Sequence, residues 1–323
     1  MPQTIAVWWM WSGFIVFIAA MIAIDMITLH RHGAHRISAR EAGTWTALWI
    51  GLALLFDLLL WLYLDSHHGR ALANEKALEF LTGYLIEKAL AVDNIFVFLM
   101  VFSYFAVPLE YQKRILLYGV LGAIVMRAVL ILVGAVLIAQ FHWIFYVFGA
   151  FLVFTGLKML AFSEQAPDLS QNLVLRWMRG HLRITNSYHG ERFVIRQDGR
   201  RWFTPLVLVL VLIELSDLIF AVDSIPAIFA VTTDPFIVFT SNIFAILGLR
   251  AMYFLLADIA ARFHLLRYGL AMVLVFIGAK MLLVEVYKIP IGLALIVVAL
   301  LIGASVVASL LLPARNRSSD SDT

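Results

Sequence analysis

Apolar blocks of about 20 residues follow one another along this 323-residue chain, and that spacing leaves few folds open. An α-helix needs about 20 residues to cross a hydrocarbon core of roughly 30 Å at 1.5 Å per residue. Inside lipid a backbone polar group finds no partner outside its own segment, so such blocks must be helices. The pattern predicts nine spans, at about 7–29, 42–64, 78–102, 114–138, 143–162, 205–231, 238–261, 268–287 and 289–312. Composition agrees. The chain is 63% hydrophobic and 14% charged, against about 45–50% and about 25% in a soluble domain. The expected fold is therefore all-α, a polytopic membrane protein of about nine transmembrane helices. The first span has no basic segment before it and no small-residue cleavage site after it, so it is expected to be retained.

Lys and Arg set the orientation. An outside amino terminus puts 16 of the 24 basic residues in five cytoplasmic segments, seven of them between 163 and 204. Only Arg70, Lys76 and Lys288 fall outside, and Lys88, Arg127, Lys158, Arg250 and Lys280 lie within spans. Under the positive-inside rule the amino terminus is outside and the carboxyl terminus cytoplasmic. The surplus of basic residues thus follows membrane topology, in an inner or plasma membrane, and implies no nucleic acid. Cysteine is absent, which excludes thiol catalysis, thiolate metal ligation and disulfides.

The chain also repeats itself. Ala91-Val92-Asp93-Asn94-Ile95 returns as Ala221-Val222-Asp223-Ser224-Ile225, and Arg127-Ala128 as Arg250-Ala251. Phe141-His142 returns as Phe263-His264, and Phe154-x-Gly156-x-Lys158-Met159-Leu160 as Phe276-x-Gly278-x-Lys280-Met281-Leu282. Each copy holds three spans, an odd number, so the second must enter the membrane from the opposite side. Inverted repeats of this kind build many secondary transporters, with ion sites near the midplane at the repeat interface. The expected organisation is two amino-terminal helices (1–77), a first repeat (78–162), a basic cytoplasmic loop (163–204), a second, inverted repeat (205–288), a final helix (289–312) and a disordered tail (313–323).

Acidic residues carry the chemistry. Superposing the repeats pairs Glu87 with Asp217 and Asp93 with Asp223, while Glu214 matches Tyr84. A carboxylate at the bilayer centre costs roughly 2.5–3.5 kcal/mol even on the mildest scale, so five unpaired ones would cost on the order of 12–18 kcal/mol. Cations, protons or internal water must compensate them. Asp223 lies nine residues beyond Glu214, on the far side of an ideal helix. Pro226 offers an escape, because it withdraws a donor and biases Ile225 away from helix. An interruption near 222–226 is therefore expected, freeing a carbonyl beside Asp223 and Ser224. A purely structural reading competes with this one: the five acids equal the five embedded cations in number. Arg127 and Arg250 in particular are expected to fix helix register by ion pairing, and Lys158 and Lys280 to snorkel.

Carboxylates, amides, hydroxyls and carbonyls are hard donors suited to Mn²⁺, Ca²⁺ or Mg²⁺. All nine histidines fall in loops or at span ends, so a buried imidazole site is not expected. His30-x-His32-x-x-His35 reads as a solvated basic tract.

Gly83–Asn94 (GYLIEKALAVDN), Glu214–Thr233 (ELSDLIFAVDSIPAIFAVTT), Thr240–Leu256 (TSNIFAILGLRAMYFLL) and Leu175–Arg183 (LRWMRGHLR) resemble the TerC/Alx family of membrane proteins. The resemblance runs from about residue 10 to 312. It implies a manganese exporter whose transport function is carried by Glu87, Asp93, Glu214, Asp217 and Asp223. It also implies Asn94, Ser224, Ser241 and Asn242 as supporting residues, with Lys88, Arg127 and Arg250 in structural or coupling roles.

In the 163–204 loop, Leu173–Ile184 reads as a basic amphipathic helix with Trp177 and Leu182 against lipid headgroups. Phe193–Phe203 reads as a hairpin turning at Asp198-Gly199. The expected mechanism is alternating access, one repeat rocking against the other with Mn²⁺ as cargo and no resident cofactor. A buried carboxylate can take either a proton or a metal ion, which offers proton coupling. An enzyme is not expected, since an intramembrane metal hydrolase would want a His ligand. The alternative is a membrane adaptor or metal-delivery protein with no transport of its own.

Overall fold

The structure, a computed structural model, describes residues 4–32, 39–141, 143–161, 173–197, 199–257, 265–287 and 289–312. The side chains of Asp25, residues 28–32, Ala39 and Asp93 lie outside that description, as do the expectations for the His30/His32/His35 tract and the tail 313–323. The helices are α1 (Trp8–His32), α2 (Ala39–His68), α3 (Arg70–Tyr104), α4 (Leu109–Gln140), α5 (Ile144–Ala161), α6 (Leu173–His181), α7 (Pro205–Phe229), α8 (Pro235–Leu247), α9 (Leu249–Leu256), α10 (Leu266–Leu282) and α11 (Ile291–Leu311). A hairpin of β1 (Val194–Gln197) and β2 (Arg200–Phe203) stands between α6 and α7. The protein is an all-α membrane protein. Among the described residues, six segments are long and apolar enough to cross a bilayer: α2, α4, α5, α7, the α8–α9 pair and α11.

Local sequence explains five of the helix starts. Pro205 and Pro235 open α7 and α8, and Pro108 and Pro290 immediately precede α4 and α11. Proline has no N–H to leave unsatisfied and its fixed φ suits a first turn. Asp234 caps α8, accepting from the Phe236 N–H at 2.9 Å. Gly69 alone separates α2 from α3, and its φ of 93° is a left-handed value that glycine adopts without strain.

Helix α8 is the centre of the bundle, with nearly every residue buried. It packs on α3 and α4, while α7 packs on the same two helices. Outward faces of α4 (Val125, Val129, Leu132, Val136) and α11 (Leu293, Ile296, Leu300) are apolar and exposed, as lipid requires.

Helices α5 and α10 form the closest pair, and their glycines explain why. A Cβ on Gly278 would stand 2.7 Å from the Gly149 carbonyl oxygen and 2.8 Å from the Val153 nitrogen. A Cβ on Gly156 would stand 2.7 Å from the Ala271 carbonyl oxygen. Residue numbers rise on one helix as they fall on the other, so the pair is antiparallel. Small residues let the backbones touch, the usual device where lipid supplies no hydrophobic drive between helices. Shifting numbers by 122 carries Gly149 to Ala271 and Gly156 to Gly278, so one contact maps onto the other.

Three local expectations need correction. No interruption occurs near 222–226: α7 runs unbroken through Pro226 to Phe229. Residues 224–229 are all buried, and the Ala230 N–H continues the ladder to the Pro226 carbonyl at 3.0 Å. Packing against neighbours holds the backbone helical despite the lost donor. The break falls instead at Gly248, dividing the expected 238–261 span into α8 and α9. In the loop, α6 stops at His181, and Leu182 packs into the protein with Leu175 and Met178 rather than against lipid; Trp177 is the exposed member. The expected hairpin is present, with Val194 opposite Phe203, Gln197 opposite Arg200 and Gly199 at φ 72°.

Candidate functional site

Seven residues make two helical turns, so Glu87 and Asn94 share one face of α3, and Asp217 and Ser224 share one face of α7. Those faces meet α4 and α8 at a buried polar cluster in the middle of the bundle. Its hub is Arg127 of α4, 1% exposed. The guanidinium grips Asp217 with two bonds, Nε to Oδ2 at 3.2 Å and Nη2 to Oδ1 at 2.9 Å. Nη1 donates to Glu87 Oε1, to Asn242 Oδ1 at 3.0 Å and to Ser224 Oγ at 3.4 Å. Two amides tie the acids further: Asn242 Nδ2 donates to Glu87 Oε2 at 3.3 Å, and Asn94 Nδ2 to Asp217 Oδ1 at 3.2 Å.

With both acids ionised the cluster carries two negative charges and one positive. The Asn94 Oδ1 is buried there with no hydrogen-bond partner among the described residues. The cluster is thus a set of hard oxygen donors, one negative charge in excess, with a guanidinium among them.

Arg127 pairs with Glu87 and Asp217. The five predicted acids do not all converge. Asp223 sits one residue before Ser224 and so about 100° round the helix. It faces α5, where Thr155 Oγ1 donates to it at 3.4 Å and Lys158 acts on it electrostatically. Glu214 is half-buried with its carboxylate against Gly122 of α4, in space that a side chain at 122 would fill. The side chain of Asp93 lies outside the described residues. Among the described residues, no three His, Asp or Glu side chains gather as a metal-holding group.

The supporting residues divide as well. Asn242 belongs to the cluster, whereas Ser241 bonds its own helix at the Val238 carbonyl, 3.2 Å away. Lys88 Nζ reaches the Ala245 carbonyl at 3.3 Å, and Arg250 borders a small void beside Asp217. A further buried acid, Glu79, escaped the sequence reading. It lies two turns before Glu87, bonded by Lys76 Nζ at 2.8 Å and Thr232 Oγ1 at 2.5 Å. The signal was available, an acid inside an apolar span, but it stands close to the span's edge. Thr155 gave no signal of any kind.

Residues 72–318 match the model of the integral membrane protein TerC family. The chain belongs to the TerC family. Proteins of Shigella flexneri and Escherichia coli strain K12, each named "Putative membrane-bound redox modulator Alx", are 58% identical to it over 289 residues, 90% of either chain. A Myxococcus xanthus protein named as an uncharacterized membrane protein, STKORF319, is 46% identical over 97% of this chain and 95% of its own. No solved structure matches this TerC-family chain. The family membership expected from Gly83–Asn94, Glu214–Thr233, Thr240–Leu256 and Leu175–Arg183 is therefore established, and the first two motifs supply the two carboxylate-bearing faces of the Arg127 cluster.

Proposed function

We propose that this TerC-family protein exports divalent manganese from the cytoplasm by alternating access of two inverted three-helix repeats. The amino terminus is outside, the 163–204 loop is cytoplasmic, and the membrane is the inner or plasma membrane. The observation that carries the reading is the convergence of Glu87 and Asp217, equivalent positions of the two repeats, on one buried point with Asn94, Asn242 and Ser224. Ionisable groups at that depth mark ion pathways by default, and an all-oxygen donor set suits Mn²⁺ better than zinc or copper. Ca²⁺ and Mg²⁺ are the competing cargoes.

Arg127 acts in this scheme as a resident counter-ion. When an incoming divalent cation takes the carboxylates from it, the sum over Glu87, Asp217, Arg127 and the ion goes from minus one to plus one, so the guanidinium has to turn to another acceptor as the ion enters. Asp223 and Glu214 lie on other faces, and with Asp93 they serve as transfer positions or proton acceptors along the route. Lys88 and Arg250 hold the surrounding helices. The name of the Alx relatives points to redox effects. With no cysteine in the chain, an effect of that kind would come through the metal supplied to other proteins rather than through thiol exchange here.

Metal uptake into inside-out vesicles tests the reading. Wild-type protein accumulates Mn²⁺ above empty vesicles, and Asp217→Asn and Asp223→Asn at matched abundance do not. Equal uptake in all samples sinks the transporter and favours an adaptor that delivers metal or partners without transport of its own. An adaptor predicts that any phenotype tracks protein abundance.

A further inference from the structure

At the end of the bundle that carries the arginine-rich loop, a cleft of about 800 Å³ opens between α6, the hairpin, the last residues of α3 and the first of α7. Small-molecule sites generally measure about 300–1,000 Å³. Unlike the apolar groove between α1 and α2, this cleft has a polar lining, which includes Arg179, Arg183, Thr185 and Asn186. Among the described residues neither arginine has an acidic partner. The loop's one described acid, Glu191, is engaged elsewhere by Arg114 at 3.1 Å. Trp202, also in the lining, buries its indole N–H, which has no acceptor among the described residues. Tyr188 fixes the wall, donating through its hydroxyl to the Phe105 carbonyl at 2.6 Å.

Two exposed guanidiniums without acidic partners on one cleft can receive an anion. Arginine's planar fork matches phosphate oxygens in pairs, and Asn186 in the same lining offers a neutral amide. We propose that this cleft binds a phosphate-bearing anion. The ligand is either a soluble nucleotide or the headgroup of an anionic lipid, which share this chemistry. Its position makes it regulatory. Tyr104 and Phe105 end the helix bearing Glu87, and Pro205 and Leu208 begin the helix bearing Asp217. A ligand seated there ties those two ends together and slows any rocking between them. That consequence rests on the transport mechanism proposed above; the binding itself does not.

The test uses full-length purified protein and reads binding separately from transport. Inorganic phosphate and ATP are titrated against protein in neutral detergent. Protein in nanodiscs of phosphatidylcholine alone is compared with discs containing one-fifth phosphatidylglycerol, with Trp202 environment and hydrogen exchange of 173–204 as readouts. Saturable binding of ATP or phosphate identifies a soluble ligand, and protection only in phosphatidylglycerol discs identifies a lipid. Either supports the site if Arg179→Gln and Arg183→Gln each weaken it at least 10-fold. Arg183→Lys, which keeps the charge and loses the fork, still weakens binding and serves if the Gln variants fold poorly. Arg200→Gln and Arg201→Gln, exposed and outside the cleft, leave it unchanged. Equal losses in all variants would reduce the effect to general surface attraction and overturn the site, as would no binding in any arm. If binding holds and vesicles show no transport, the site stands and only its regulatory role falls.

Discussion

Glu87 on α3 and Asp217 on α7, 130 positions apart, hold the same guanidinium, that of Arg127 on α4. All three side chains are almost wholly buried. The arrangement makes one arginine the common counter-ion of two halves of the chain, and it divides what each substitution should do.

Replacing Arg127 strands two acids. Breaking a buried pair by removing one partner costs about 3–5 kcal/mol, because the remaining charge is uncompensated. Arg127→Gln is expected to lower the thermal midpoint of detergent-purified protein sharply, and Glu87→Gln with Asp217→Asn in the same chain to recover part of the loss. An unchanged midpoint for Arg127→Gln would mean the acids are already neutral or hydrated.

Asp217→Asn should behave differently. It leaves Arg127 paired with Glu87 and the cluster neutral, so the fold should survive at near-normal abundance. Mn²⁺ uptake should drop at least 10-fold, because the oxygen set loses a carboxylate. Retained uptake in inside-out vesicles would remove Asp217 from the ion path.

The α5–α10 contact has no room to give. Gly278→Ala drives its Cβ at the backbone of Gly149 and Val153, and overpacking of this kind generally costs about 1–3 kcal/mol. Gly303→Ala on α11, with nothing within 4 Å of the added carbon, should be neutral or slightly stabilising, since alanine favours helix. Equal melting of the two variants would contradict the close approach.

Tyr188 pins the loop to the end of α3, and burial holds its phenol above the usual tyrosine range. Tyr188→Phe removes one hydrogen bond, about 1 kcal/mol. The expected result is faster proteolysis at the arginines of 173–204 with little change in global melting. A digestion rate identical to wild type would show that α6 alone anchors the loop.

Sequence by itself determined the membrane-helical class, because apolar runs of bilayer length with no external backbone partners permit nothing else. It also determined the turn at Gly199, since that rests on one residue's own φ; α8 starts at Pro235, ahead of the span expected from 238. The chemically loaded positions were legible too, acids and Arg127 in apolar surroundings. What only the tertiary structure decided was who meets whom. Asp217 reaches Arg127 while Asp223 turns to Thr155 and Glu214 to Gly122, because the rotation of α7 is set by its packing on α3, α4 and α5. Pro226 was read as a break and α7 continues through it, because neighbours supply the support that a lone helix would lack. Rotation and support are properties of the packed bundle, and no spacing along one chain encodes them directly.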